Sequence, residues 1–236
     1  LLSPKKSNEG YFVESGWASS KSNIKVPDNN SLWRIKEGKK LTPTTPVTIQ
    51  WSNGEGITFL KKIELDEKYL FKITESIKND KAQTVELFHY SQITRNEKPQ
   101  TQDFYILHEG LVGVVDKHLK EETYATVVKG KIKYTGTSGW FGITDKYWMT
   151  AIVPENSKAF NAEYSHSNTF KTNFILSEPT VVGPQKTSSN TLKIFAGAKE
   201  VHVIDKYSDK EKIDRFDLSV DWGWFYFITK PFFFII

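Results

Sequence analysis

From Val47 onward the chain repeats one pattern, a short run in which apolar and polar side chains alternate, closed by turn residues. Val47, Ile49 and Trp51 alternate with Thr48, Gln50 and Ser52, and Asn53-Gly54 follows as the pair that supplies positive φ to a tight hairpin turn. Ile63 and Leu65 alternate with Lys62 and Glu64, Asp66-Glu67-Lys68 reads as the next turn, and Tyr69, Phe71 and Ile73 alternate with Lys72 and Thr74. Asn79-Asp80-Lys81 then separates this run from residues 85–90. A period of two puts successive side chains on opposite faces of a strand. Such runs, recurring at intervals of roughly ten residues, predict a mainly all-β fold with antiparallel strands, a sandwich or barrel. Further strands are predicted over 124–133, 148–153, 173–177 and 192–196. Residues 1–46 are richer in turns, with short runs at Tyr11-Phe12-Val13 and Leu32-Trp33-Arg34-Ile35, and no repeat of fixed period appears.

Composition narrows the function more than the fold. With 236 residues, 38% hydrophobic and 25% charged, the chain has the means to bury a sizeable core. Its 14% of aromatic residues suits pleated, half-buried surfaces. Lys and Arg number 32 against 28 Asp and Glu, and the pairs Lys5-Lys6, Lys39-Lys40 and Lys61-Lys62 are scattered among acids. Phosphate binding needs basic residues gathered on one face, so no nucleic-acid partner is expected. The absence of cysteine excludes disulfides, thiolate metal sites and cysteine catalysis. Leu1 is not a natural initiator and no signal peptide precedes the turns, so the chain reads as a piece of something longer.

Two stretches depart from the alternation. Residues 199–207 follow Gly197 and carry Val201, Val203 and Ile204 among charges, which predicts a short surface helix of two turns. The second departure is 222–236, where 11 of 15 residues are apolar, eight are aromatic, and the one charge, Lys230, precedes Pro231. A spanning helix needs about 20 apolar residues, so the count fits a buried helix or last strand as well as the start of a membrane segment. The order of residues favours the membrane. Trp222, Trp224, Phe225, Tyr226 and Phe227 come first, and rings with a polar N–H or O–H suit the headgroup boundary, while 232–236 are purely hydrocarbon. Ser219 is expected to cap a helix over 219–229 lying at the membrane surface, with Asp221 in its first turn; Pro231 marks a bend and Lys230 snorkels to headgroups.

These residues carry a family resemblance. Phe216-Asp217-Leu218-Ser219-Val220-Asp221-Trp222-Gly223-Trp224-Phe225, followed by Phe227-Ile228-Thr229-Lys230-Pro231-Phe232, resembles the segment of YidC-type bacterial membrane protein insertases that joins the large periplasmic domain to the second transmembrane helix. Gly139-Trp140-Phe141-Gly142-Ile143, with Tyr147-Trp148 and Ala151-Ile152-Val153-Pro154, is similar to a motif in the middle of that domain. Trp51-Ser52-Asn53-Gly54-Glu55-Gly56-Ile57, residues 66–71 and Phe195-Ala196-Gly197-Ala198-Lys199-Glu200 match as well, in family order. The resemblance implies a periplasmic β-supersandwich of galactose-mutarotase-like shape with short C-terminal helices. It divides the chain into a sandwich over 1–198 whose first strands are missing, a helical linker over 199–221 packed on it, and an interfacial helix and membrane entry over 222–236. It implies a parent protein in the bacterial inner membrane that inserts and folds membrane proteins, alone or with the Sec translocon. Expected partners are Sec translocon components, nascent inner-membrane proteins and, through the C-terminal segment, inner-membrane lipid. No cofactor, metal or catalytic residue is implied, and the five insertase-core helices with the family's essential arginine have no counterpart here.

A carbohydrate-binding or aldose-epimerase-like domain is the alternative. Epimerisation of a sugar uses a carboxylate base and a histidine acid, so His89, His108, His118, His166 and His202 with Glu86, Glu109 and Glu163 are the candidates. Their spacing selects no pair: Glu86 and His89 fall on opposite faces of a strand, and Glu163 meets His166 only in a turn or helix. Gly54-Glu55-Gly56 has Phe59 where a dinucleotide loop needs its third glycine, and no phosphate loop or nucleophile elbow is present. Trp140, Phe141, Tyr147 and Trp148 form an aromatic cluster that either lines a cleft or fills the core, and the core reading is preferred for most of it.

Overall fold

The computed structural model describes residues 1–20, 24–99 and 107–221, which are built mainly from antiparallel strands. The first six are Tyr11–Ala18 (β1), Arg34–Glu37 (β2), Val47–Ser52 (β3), Ile57–Leu65 (β4), Leu70–Asn79 (β5) and Val85–Arg95 (β6). Gly110–Val115 (β7) and His118–Glu122 (β8) precede a short helix, Tyr124–Lys129 (α1). Then come Ile132–Gly136 (β9), Gly139–Thr144 (β10), Trp148–Val153 (β11), Phe160–His166 (β12), Phe170–Leu176 (β13), Thr180–Val182 (β14) and Lys186–Ala198 (β15). Val201–Asp209 (α2) and a 3₁₀ turn over Phe216–Ser219 follow. The strands form a six-stranded sheet, β1-β6-β13-β12-β9 with β14 also on β6, and a nine-stranded sheet, β2-β3-β4-β5-β15-β11-β10-β7-β8.

The two sheets face each other through side chains of one parity. Ile73, Leu111, Phe141, Ile152 and Leu192 of the large sheet meet Ile93, Phe160, Tyr164 and Phe174 of the small one, and the Phe141 and Phe160 rings pack edge to face at 5.4 Å. Trp17, Ile57, Phe59, Ile77 and Leu87 make a second inter-sheet cluster. Each such side chain contributes about 1.5–3 kcal/mol by leaving water. The large sheet is covered unevenly. Along β5 buried and open positions alternate, as expected of a strand with one wet face, whereas every residue of β7 and β10 is buried. Those strands have α2 and the 3₁₀ turn on their other side.

Three local expectations are corrected. Residues 124–133 are not one strand: α1 occupies 124–129, its N-cap Thr123 accepting from the Thr126 N–H, and β9 begins at Ile132. The β-branched run Thr126-Val127-Val128 reads as a strand, but the cap and the burial of Tyr124 and Val127 on one face of the turn favour helix. The β3–β4 connection is a four-residue loop rather than a two-residue turn. The Asn53 side chain accepts from the N–H groups of Glu55 and Ile57 at 2.8 and 3.1 Å, and Gly54 and Gly56 take the positive φ. Ser219, expected to open a helix, instead closes the 3₁₀ turn, and Val220 after it is extended. The remainder of that expected helix, 222–229, lies outside the described residues. The helix expected over 199–207 forms as α2, with Val203, Ile204 and Tyr207 buried. Among the described residues no helix is long and apolar enough to cross a membrane.

Candidate functional site

Most of the histidines and acids considered for sugar chemistry have partners outside that set. Glu86 and His89 take opposite faces of β6, as alternation requires. Glu163 and His166 lie on β12, not in a turn or helix, and Glu163 pairs with Lys131 at 3.0 Å while the His166 ring packs on Phe170. The His108 ring contacts the Leu111 carbonyl, His118 contacts the Asp116 carbonyl, Glu109 accepts from the Lys146 N–H, and His202 is exposed on α2.

His89 instead finds an acid the sequence reading passed over. Its Nε2 lies 2.7 Å from Glu75 Oε2, and Glu75 Oε1 takes Lys61 Nζ at 2.7 Å and the Ser15 hydroxyl at 2.9 Å. Trp17 packs on the imidazole at 4.9 Å. Burial pushes the Glu75 carboxyl up, but the hydrogen bond from His89 and the attraction of Lys61 outweigh it, leaving the group below its ordinary value. Ser15, Trp17 and His89 belong to the small sheet and Lys61 and Glu75 to the large one, so the cluster is a polar clamp between layers. Glu75 and His89 are 1% and 2% exposed, leaving no room for a sugar ring beside them. The signal for Glu75 was its parity: it stands in register with Ile73 and Ile77, both inward.

A second constellation joins three motifs distant in sequence. Trp140 of β10, Phe195 of β15 and Phe216 of the 3₁₀ turn are fully buried together, with ring centroids 5.3 Å apart for Trp140–Phe216 and 5.6 Å for Phe195–Phe216. Val203, Ile204, Tyr207 and Ile213 complete the cluster against Val112, Val114, Met149 and Ala151 of the sheet. Polar contacts fix the register. The Trp140 indole N–H donates to the Asp214 carbonyl at 3.2 Å, Ser138 donates to Asp214 Oδ2 at 2.9 Å, and the Tyr207 hydroxyl donates to Asp66 Oδ2 at 2.6 Å. Burial and the Asp66 carboxylate push the Tyr207 hydroxyl well up from its ordinary value. Gly139 has φ +139°, and a Cβ there would stand 1.8 Å from the Val114 carbonyl oxygen, so the glycine lets β10 approach β7 beside the Trp140 anchor.

The four aromatics singled out from sequence therefore separate. Trp140 anchors the C-terminal linker, Phe141 faces the small sheet, and Tyr147 and Trp148 stand 64% and 48% exposed on the β10–β11 hairpin. The described chain leaves the platform at Asp221, whose Oδ2 accepts from the His108 N–H at 3.0 Å. Nearby, Lys199 donates to Thr144 Oγ1 at 2.8 Å, and burial pulls its ammonium below the ordinary value against the attraction of Asp221, Asp145 and Glu109. Trp222, Trp224, Phe225, Tyr226, Phe227, Lys230 and Pro231 lie outside the described residues.

Comparison with known proteins bears on this arrangement. A galactose mutarotase related enzyme from Lactobacillus acidophilus superposes with a TM-score of 0.51 over 71% of each chain at 10% identity, a likeness of fold alone. The chain is 40% identical over 236 residues to the membrane protein insertase YidC of Pelagibacter ubique, covering 100% of this chain and 42% of that protein. It is 43% identical over 239 residues to the membrane protein insertase YidC of Sinorhizobium medicae, covering 99% and 40%. It thus spans well under half the length of the relatives it matches. The family model described as the YidC periplasmic domain matches residues 1–235, and the chain belongs to that family.

Proposed function

We propose that this domain serves a membrane protein insertase of the inner membrane as a non-catalytic scaffold, holding the C-terminal segment at the periplasmic surface and offering faces to partners. The parent protein then inserts and folds inner-membrane proteins, alone or with Sec translocon components, and nascent membrane proteins are its clients. The observation that carries this reading is the seat of the linker. Trp140, Phe195 and Phe216 pack into one buried cluster immediately before a stretch of 15 residues of which eight are aromatic. A linker seated by buried rings transmits the orientation of the sandwich to whatever follows it. The sealed Glu75–His89 pair supports a structural use of the carboxylate and imidazole over an epimerase reading, because a general acid or base must reach its substrate. The test is graded deletion in the full-length protein. Removing 219–230 is expected to depress insertion of dependent clients while the sandwich still folds; unimpaired insertion would defeat the positioning role.

A further inference from the structure

The large aromatic side chains that stand exposed among the described residues are Tyr69, Tyr147 and Trp148, at 57%, 64% and 48%. Tyr69 is distant in sequence from the adjacent pair Tyr147-Trp148, yet the fold brings all three to one end of the large sheet. Trp148 pairs across the sheet with Ala198 of β15, and the Ala196 N–H on the same strand donates to the Tyr69 carbonyl at 3.2 Å. Tyr69 thus ends the β4–β5 turn and Trp148 ends the β10–β11 turn at one end of the large sheet, on either side of β15. The chain's exit is at this end too. Asp221 is held by the His108 N–H, and the next residue, Glu109, accepts from the Lys146 N–H in the β10–β11 turn.

We infer that this end of the sheet is a lipid-contact surface, with Tyr69, Tyr147 and Trp148 seated among the headgroups of a phospholipid bilayer. Three features select that occupant. Tyr and Trp are the side chains whose apolar rings and polar N–H or O–H suit the boundary between hydrocarbon and water. Two of the three rings sit on tight turns that project from strand ends, where a flat surface can be met without disturbing the sandwich. The surface adjoins Asp221, the last described residue before the lipid-seeking stretch of the sequence. The charges here give no basic patch: Lys68 pairs with Glu200 at 3.4 Å, Arg95 with Asp145 at 2.6 Å, and Asp66, Glu109 and Asp221 stand against Lys146 and Lys199. The attraction therefore rests on the rings, and neutral phosphatidylcholine suffices, with little dependence on salt.

The proposal builds on the lipid-seeking reading of the C-terminal segment, and its test separates the two. The chain contains no cysteine, so Tyr147→Cys carries a single environment-sensitive fluorophore, and Val181→Cys, 56% exposed on β14, carries the same label as a control. With phosphatidylcholine vesicles, the label at 147 is expected to shift to the blue and to be quenched by lipids bearing a headgroup-level quencher. The label at 181 should be unchanged. Replacing both rings, Tyr147→Ser with Trp148→Ser, is expected to weaken vesicle partition about tenfold, since each ring loses part of its transfer free energy. If the chain sediments with vesicles while the label at 147 stays water-like, the lipid-contact surface is wrong and the C-terminal reading survives. If the chain does not sediment with vesicles at all, both fall.

Discussion

Glu75 shows what one buried charge does for the sandwich. It receives His89, Lys61 and Ser15 from three strands, and deleting it strips the buried His89 imidazole of its acceptor and leaves the Lys61 ammonium, which keeps the Ser15 carbonyl at 2.9 Å, without its counter-charge. Glu75→Ala is therefore expected to cost about 3–5 kcal/mol, read as a lowered midpoint in chemical denaturation. The sign of its pH dependence follows from the depressed carboxyl. A group whose pKa is lower folded than unfolded stabilises the fold above the unfolded value, about pH 4, and that stability is lost as pH falls through the folded value. The parent chain should lose stability in this acid window, and Glu75→Ala should flatten that part of the profile. The sequence reading missed the clamp for a physical reason. Charged residues in alternating runs normally face solvent, and only the parity shared with Ile73 and Ile77 betrayed the inward position.

At the level of elements, alternation was legible along several strands with one wet face, though β12 went unread. The runs at 85–90 and 192–196 are the cores of the longer β6 and β15. It failed where both faces are covered. Gly110–Val115 reads Gly-Leu-Val-Gly-Val-Val with no period of two, because one parity packs on the small sheet and the other beneath α2 and the 3₁₀ turn. The linker could be named as helical and the Phe216 motif as a family mark, but its partner Trp140, 76 positions away, was not deducible from spacing. That partnership has a measurable consequence. Phe216→Ala removes a fully buried ring from the centre of the platform and is expected to destabilise the domain by about 3–5 kcal/mol in urea denaturation. A cost within the range of an ordinary surface substitution would mean that the linker is not seated as described.

The whole molecule reads as three layers: a small sheet, a large sheet, and a C-terminal linker that covers one half of the large sheet's outer face. The first two layers also occur in a galactose mutarotase related enzyme, so they are a scaffold that says little about chemistry. The third gives the domain a direction. The linker's exit at Asp221 and the exposed rings of Tyr69, Tyr147 and Trp148 lie at one end, and residues 222–236 continue from it. On this account the chain is built to meet a bilayer end-on, and its final 15 residues supply most of the affinity. The most direct measurement is sedimentation of the 236-residue chain with phosphatidylcholine vesicles beside the same chain ending at Asp221. The account predicts that the longer chain pellets with vesicles, its tryptophan emission shifted to the blue, and that the shorter one loses most of the bound fraction. Equal binding by the two chains, or binding by neither, would contradict it.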